Sequence, residues 1–168
     1  MFEGTVLGID PGTAAVGLAA VATVQGRLRV AWSDTARTPP GLAAGERLRR
    51  VYGAVREAIA ANAPGAVAIE RLMWGRNTGS AMEVSRASGV ILLAAADSGV
   101  PVEEYAPLEV KMAVTGVGNA TKEQLRRCLV RVLNADGVPE EPNAADAVAV
   151  AVCHLQQSRL RGLVRAAR

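Results

Sequence analysis

The chain has 168 residues, of which 50% are hydrophobic and 21% are charged. This size and mixture fit one globular domain and exclude an enzyme built from two domains around a large cleft. Intrinsic disorder is excluded as well, because the net charge of +3 is small and the apolar share is high. The longest apolar run, residues 90–96, is far shorter than the ~20 residues of a membrane span, and no signal peptide pattern is present. We therefore expect a cytoplasmic protein that does not enter a membrane.

Apolar runs and their periodicity predict five strands and five helices. The predicted strands are residues 5–10, 17–24, 28–33, 66–70 and 102–105, and the predicted helices are residues 42–62, 80–98, 108–114, 122–133 and 144–157. The first three strands form an antiparallel meander, whereas the fourth is a continuous apolar run typical of a parallel strand covered on both faces. This order predicts an α/β fold with a five-stranded mixed sheet flanked by helices on both faces.

Basic residues cluster in two places outside the predicted strands. We interpret the arginines at positions 47, 49, 50 and 56 as the solvated face of the first helix. We assign residues 1–157 to a single domain and residues 158–168 to a flexible basic tail, which holds four arginines and no acid. The charge of the tail leaves two interpretations open, a solvated arm or a contact with phosphate.

Three acidic residues stand in apolar surroundings. Asp10 ends the first strand, Glu70 ends the fourth, and Asp146 lies in a helix of alanine and valine. If the two strands are parallel neighbours, Asp10 and Glu70 share one sheet edge, where carboxylates ~4–5 Å apart repel by roughly 3–4 kcal/mol at an effective dielectric near 20. A retained proton or a bound cation relieves this repulsion, and a divalent cation is the simpler solution. The alternative for Asp10 is a turn-capping role beside Gly12.

Asn143 lies three positions before Asp146, so both side chains are expected on one face of a helix. Their oxygens suit hard cations such as Mg²⁺ and Mn²⁺. Asparagine is also a preferred N-cap residue. The spacing alone therefore leaves open whether Asn143 binds a metal ion or caps the helix.

Four motifs resemble, in order and spacing, those of the RuvC family of bacterial Holliday-junction resolvases. They are residues 7–12 (LGIDPG), residues 68–70 (AIE), the segment with VK at 110–111, GVG at 116–118 and TK at 121–122, and residues 144–147 (AADA). The resemblance extends over residues 4–157. It implies a ribonuclease H-like fold, a homodimer, and an endonuclease that cuts four-way DNA junctions symmetrically in homologous recombination and repair.

By position, the resemblance implies a site for two divalent ions, Mg²⁺ or Mn²⁺, with Asp10, Glu70, Asn143 and Asp146 as ligands. Asp10 would bridge the ions, one of which activates water while the other stabilises the leaving 3′ oxygen. The family usually has Asp or His where this chain has Asn143. Because the site loses a negative charge, we hypothesise a relative preference for Mn²⁺ over Mg²⁺.

The resemblance also implies contacts with DNA. Lys111 and Lys122 would lie near the phosphates, with Lys122 supporting catalysis, although two solvated helix lysines are the alternative. The family commonly places an aromatic residue three positions after the Glu of the fourth strand, and here Met73 takes that position and Trp74 follows it. We expect Trp74 to stack on a base or Met73 to wedge between bases, unless Trp74 only covers the surface. Arg76 and Asn77 are further candidates for phosphate and base contacts.

The predicted helix at residues 80–98 is apolar on more than one face, so it either packs against a second copy in a homodimer or is buried within the monomer. A branch-migration complex is a further candidate partner. An actin-like ATPase shares the turn after Asp10 but requires two duplicated domains, which this length cannot supply. Two more functions stay open, a ribonuclease H-like enzyme acting on structured RNA and a junction-binding protein with weak nuclease activity.

Overall fold

The structure is a computed structural model that describes residues 4–12, 14–71, 78–134 and 137–166, without the side chains of residues 78–80 and 161–166. Within these residues there are five strands, namely β1 (Thr5–Asp10), β2 (Ala15–Val24), β3 (Arg27–Arg37), β4 (Ala66–Glu70) and β5 (Val102–Tyr105). The five helices are α1 (Ala44–Asn62), α2 (Thr78–Asp97), α3 (Pro107–Thr115), α4 (Lys122–Val132) and α5 (Pro142–Ala166).

The strands form one mixed sheet in the order β3-β2-β1-β4-β5. Strand β1 is antiparallel to β2 and parallel to β4, and Ile9 lies opposite Ile69. Strand β5 extends the sheet in parallel to β4. The predicted five-stranded mixed sheet is confirmed. Because β1 and β4 run in the same direction and in this register, Asp10 and Glu70 end at the same edge.

The sheet has an apolar core on each face, because β1 is apolar from Val6 to Ile9 and β4 from Ala66 to Ile69. Leu7 and Ile9 of β1 pack with α1 and α2, as does Ile69 of β4. The alternate residues Val6 and Ala68 face the opposite side, where they pack with α3, α4 and α5. The prediction of helices on both faces is therefore confirmed. No helix in the described part of the chain has the length and apolar character needed to cross a bilayer.

Helix α5 lies with its backbone directly on the sheet at two glycines. A Cβ atom built on Gly8 would stand 2.1 Å from the carbonyl oxygen of Ala147, and one built on Gly17 would stand 1.9 Å from that of Asn143. Any side chain at these two positions would push the helix away from β1 and β2. The two glycines therefore set the depth at which α5 sits, and with it the position of Asp146.

Two elements end several residues later than the sequence predicted. Strand β3 continues to Arg37 because β2 already begins at Ala15, which pairs with Arg37, and the polar end of this edge strand carries no apolar signal. Helix α5 begins at Pro142 and continues to Ala166, so its predicted end at residue 157 was wrong. The first part of the segment that we assigned to a flexible tail is helical, because its mixed sequence contains no proline that would stop the helix.

We expect Gly17→Ala to lower the free energy of unfolding by about 1–3 kcal/mol or more, because the new methyl group has to displace the backbone of α5. Gly53→Ala in α1 is the matched control, since a Cβ there meets nothing within 4 Å. The control should stabilise the protein by about 0.5–1 kcal/mol through helix propensity. Urea denaturation measures both values, and equal effects of the two substitutions would contradict the close approach.

Candidate active site

The edge at which β1 and β4 end opens into a pocket of about 320 Å³ beneath α3, α4 and α5. Its polar wall consists of five residues that the sequence singled out, Asp10, Glu70, Lys111, Lys122 and Asp146. The remaining wall is apolar and consists of Pro107, Val110, Leu125 and Ala149. The pocket therefore concentrates acidic and basic groups from five different elements in a partly apolar setting.

Local sequence explains why Lys122 reaches this pocket. Thr121 caps α4, because its hydroxyl accepts a hydrogen bond from the backbone N–H of Gln124 and its own N–H donates to the Gln124 side chain. This capping box makes Lys122 the first residue of the helix. A cation is unfavourable at a helix N-terminus. An acid across the pocket offsets this unfavourable interaction of Lys122 with the helix N-terminus.

That acid is Asp146. The Nζ atom of Lys122 donates to Oδ2 of Asp146 over 2.8 Å. The lysine side chain is 81% exposed and the aspartate side chain only 22%. Lys122 therefore covers the pocket from the solvent side and neutralises one of its three acids. The hydrogen bond to Asp146, together with the acidic neighbours, raises the pKa of Lys122 above its usual range, so the lysine stays charged.

The other two acids are held in an unfavourable setting. Burial is the main cause that raises the pKa of Asp10 to about 6, and the charge of Asp146 raises it further. Burial likewise raises the pKa of Glu70 to about 7, with additional repulsion from Asp10 and Asp146. A hydrogen bond between the two carboxyl groups lowers the pKa of Asp10 and raises that of Glu70, as expected when the proton resides on Glu70. The pair therefore retains a proton close to neutral pH.

Asn143 is placed differently from the other predicted ligands. Its Nδ2 donates to Oε1 of Glu141 over 3.0 Å, and Asn143 is not part of the pocket wall. The interpretation of Asn143 as the N-cap of α5 was wrong, because the helix begins at Pro142 and Glu141 caps it by accepting from the N–H of Ala144 over 2.9 Å. Proline at the first helical position fits this cap.

Glu141 is the residue near this site that the sequence interpretation missed. Besides Asn143 and Ala144, its carboxylate accepts hydrogen bonds from Thr35 and, over 3.1 Å, from Arg37 of β3. These donors lower the pKa of Glu141 even though burial acts in the opposite direction. Glutamate is not among the favoured N-cap residues. The only local signal was its position before Pro142, and its partners on β3 are more than a hundred residues away.

The remaining predicted contacts with DNA, Met73, Trp74, Arg76 and Asn77, lie outside the described residues. Strand β4 and helix α2, which flank them, are described, and the pocket lies at the end of β4. The roles of these four residues stay predictions.

Comparison with known proteins identifies the family. The family model "Crossover junction endodeoxyribonuclease RuvC" matches residues 6–154. A curated relative of that name from Moorella thermoacetica is 47% identical over 149 residues, which is 89% of each chain, and one from Syntrophomonas wolfei is 41% identical over 155 residues, which is 92% of this chain and 90% of the relative. The chain belongs to the RuvC family. The resemblance of its motifs to that family is thus confirmed.

Solved structures agree with this assignment. RuvC from Thermus thermophilus in complex with a Holliday junction substrate superimposes with a TM-score of 0.87 at 35% identity, covering 94% of this chain and 96% of that one. A yeast mitochondrial Holliday junction resolvase, at 12% identity and a TM-score of 0.67, shares the fold. RuvC proteins are divalent-metal-dependent endonucleases, which makes the prediction of an enzyme of this class correct.

The donor set of the pocket fits a divalent cation of the RuvC type. The three acids supply only oxygen ligands, which Mg²⁺ and Mn²⁺ prefer, and the proton held between Asp10 and Glu70 is one that a cation would replace. In the described part of the chain, however, no three Asp, Glu, His or Cys side chains form a group that could hold a metal ion as they are placed. Asp146 is paired with Lys122 through Oδ2.

The raised pKa values predict how stability depends on pH in a buffer with a chelator. The folded protein holds the protons of Asp10 and Glu70 more tightly than the unfolded chain does, so the contribution of this pair to stability is fully present below about pH 4 and is lost as the pH rises through about 6 to about 7. We expect Asp10→Asn to be more stable than the native protein by about 2 kcal/mol at pH 8 and equally stable near pH 4.

Urea denaturation over this pH range, in the presence of a chelator, measures the difference. Glu57→Gln, an exposed position on α1, is the control and should not change the pH dependence. A constant difference between Asp10→Asn and the native protein from pH 4 to pH 8 would contradict the proposed repulsion.

Proposed function

We propose that this protein resolves four-way DNA junctions by metal-dependent hydrolysis of phosphodiester bonds, in homologous recombination and DNA repair in the cytoplasm. The observation that carries the proposal is the convergence of Asp10, Glu70 and Asp146 on one pocket in a chain of the RuvC family. A junction substrate is supported by the similarity to the Thermus thermophilus RuvC that was solved with one. Ribonuclease and purely binding functions have no such support.

The three acids are the residues that we propose as metal ligands. The three carboxyl groups all interact with one another, and the resemblance to the family makes Asp10 our candidate for the ligand shared by both ions. When bound, two divalent ions would supply an activated water molecule and neutralise charge on the scissile phosphate. The acids themselves bind and orient the ions, and Val110 and Leu125 form part of the apolar wall beside them.

Lys122 and Lys111 would hold the phosphate. Lys122 is largely exposed, so its ammonium group can leave Asp146 and turn to a phosphate oxygen when a cation takes over the carboxylate. Hydrolysis breaks the bond between phosphorus and the 3′ oxygen and forms one to the oxygen of water. Negative charge builds up on the phosphate oxygens during this step, and nearby ammonium groups stabilise it.

The metal preference is a further part of the proposal. Asn143 lowers the negative charge available to the ions compared with the Asp that the family commonly has, and Mn²⁺ tolerates such mixed ligands better than Mg²⁺. The hydrogen bond from Asn143 to Glu141 adds a condition. A carboxylate at position 143 would face the carboxylate of Glu141 and be repelled by it.

We therefore expect Asn143→Asp to raise the cleavage rate with Mg²⁺ relative to the rate with Mn²⁺ only when it is combined with Glu141→Gln. In the single variant, repulsion between the carboxylates offsets the gain in charge at the site. Junction cleavage with each metal and calorimetric titration of Mn²⁺ measure the two effects, with Glu141→Gln alone as the control. Equal ratios in all four proteins would refute the link between Asn143 and metal preference.

A homodimer is supported by one face of α2. Met82 is 53% exposed and Leu93 is 54% exposed, and the exposed Gly89 lies between them on the same side of the helix. The opposite side of α2, with Ile91 and Ala94, is buried against the sheet and α1. A second copy packed on this exposed side by two-fold symmetry would present two pockets to two opposed strands, as symmetric cutting requires.

We expect Leu93→Asp to dissociate the dimer, because a charge on the apolar side of α2 cannot be buried against a second copy. Analytical ultracentrifugation measures the mass in solution. Leu160→Asp is the matched control, since Leu160 is exposed to 61% on a different helix, and it should leave the mass unchanged. A native protein that sediments as a monomer at micromolar concentration would exclude the dimer.

The decisive experiment compares a synthetic four-way DNA junction with a structured RNA, each with Mg²⁺ or Mn²⁺. We expect the native protein to cut the junction at symmetric positions and to leave the RNA intact. Asp10→Asn should slow cleavage by a factor of at least about 10³, because a proposed metal ligand is lost. The variant should still bind the junction, because its basic surface is unchanged. Junction binding without cleavage in either metal would support a binding protein, and cleavage of RNA alone would support the ribonuclease.

A further inference from the structure

A second pocket lies on the other face of the sheet, close to the same edge. It has a volume of about 130 Å³ between α1 and α2, and Gly12, Thr38, Arg47, Glu83 and Arg86 line its polar part. We refer to it as the arginine pocket. Neither the predicted metal site nor the predicted contacts with DNA include any of these residues.

Arg47 departs from the solvated role that its position on α1 suggested. Its side chain is only 27% exposed, and its Nε atom is buried without a hydrogen-bond partner in the described structure. The nearest acid, Glu83, stands 3.9 Å from the guanidinium group, which is beyond hydrogen-bond distance. By contrast, Arg49 on the same helix donates to Glu46 from both Nε, over 3.2 Å, and a terminal nitrogen, over 3.0 Å.

A buried charged donor without a partner is unfavourable, and most such donors in folded proteins are satisfied. Within the described residues Nε of Arg47 has no acceptor, and a small acceptor with negative charge would suit both this atom and Arg86 in the same wall. Phosphate meets these requirements, because the guanidinium group donates parallel hydrogen bonds that match two phosphate oxygens. Helix α1 begins at the pocket with Ala44, and the preceding Ala43 provides no side-chain cap, which adds to the positive potential.

The position of the arginine pocket relative to Asp10 indicates which phosphate it would take. Gly12 follows Asp10 by two residues, and two residues of chain span at most about 7 Å. Successive phosphates of a DNA strand advance by about 3.4 Å along the helix axis. A strand with its scissile phosphate at Asp10 would therefore have another of its phosphates within reach of this corner of the pocket a few nucleotides away.

We propose that Arg47 forms a phosphate-binding site that holds the backbone of the cut strand a few nucleotides from the scissile bond. The proposal rests on the junction-resolving function proposed above. It adds a contact that is independent of base sequence, on the face of the sheet opposite to the metal ligands. The carboxylate of Glu83 limits the strength of this site, because it faces the same guanidinium group.

The main experiment measures junction affinity of the full chain at several salt concentrations, with a chelator present to prevent cleavage. We expect Arg47→Ala to weaken binding about tenfold and to reduce the slope of log K against log salt by about one, the value for one lost phosphate contact. Arg49→Ala, on the same helix but 78% exposed, is the matched control and should change neither quantity. Equal slopes for Arg47→Ala and Arg49→Ala would overturn the proposal.

Two further variants separate binding from folding. Arg47→Lys keeps the charge and should recover part of the affinity, whereas Glu83→Gln should tighten junction binding about threefold by removing the opposing carboxylate. A merely structural role of Arg47 predicts no gain from Glu83→Gln. Thermal unfolding of each variant identifies any loss of the native fold, and no gain with Glu83→Gln in a folded protein would count against the site.

Modified DNA locates the contact. A neutral methylphosphonate placed at one position at a time in the cut strand should weaken binding by the native protein at one site within a few nucleotides of the scissile bond, but not by Arg47→Ala. Inorganic phosphate should raise the melting temperature of the native protein and not of Arg47→Ala. If phosphate does so but no methylphosphonate distinguishes the proteins, the site takes a free anion and the proposed contact with DNA is wrong.

The junction cleavage assay tells the two proposals apart. If the native protein fails to cut the junction, the proposed function fails, whatever Arg47 binds. If the native protein cuts and Arg47→Ala binds and cuts with unchanged constants, only the phosphate site fails.

Discussion

The contact between the backbone of α5 and two glycines of the sheet determines where the acidic groups meet. Asp146 is separated from Asp10 by most of the chain, and it reaches the edge of β1 only because Gly8 and Gly17 allow the helix to lie directly on the strands. The helix contributes mainly alanine and valine to this contact. Packing of apolar and small residues thus supplies the free energy that holds like charges close together, at the cost visible in the raised pKa values of Asp10 and Glu70.

Charge in the pocket is balanced by groups of this chain. Lys122 neutralises Asp146, and a proton remains between Asp10 and Glu70. A divalent cation can replace the lysine ammonium group in the first case and the proton in the second, because each contacts carboxylate oxygens that a hard ion prefers. Asn143, which stands where the family usually has Asp or His, donates a hydrogen bond to Glu141. Residue 143 cannot be interpreted without its neighbour two positions earlier.

The sequence predicted those features that depend on local pattern. Continuous apolar runs that end on Asp10 and Glu70 predicted two parallel strands with their acids at one edge, and register and pocket agree with this. The role of Glu141 and the burial of Arg47 were not predictable, because their surroundings come from β3 and α2, which are distant in the sequence. A polar edge strand gives no periodic signal, which is why the end of β3 was missed. The predicted loop contacts at Met73 and Trp74 stay predictions.

Helix α5 carries Asp146 of the pocket and continues directly into a fully buried segment of the core. Residues 147–153 are all at most 1% exposed, so their amide hydrogens should exchange with solvent only when the whole domain opens. A segment anchored in this way cannot act as a moving gate. We therefore expect the adjustment on substrate binding to occur in the strands of the DNA rather than in α5.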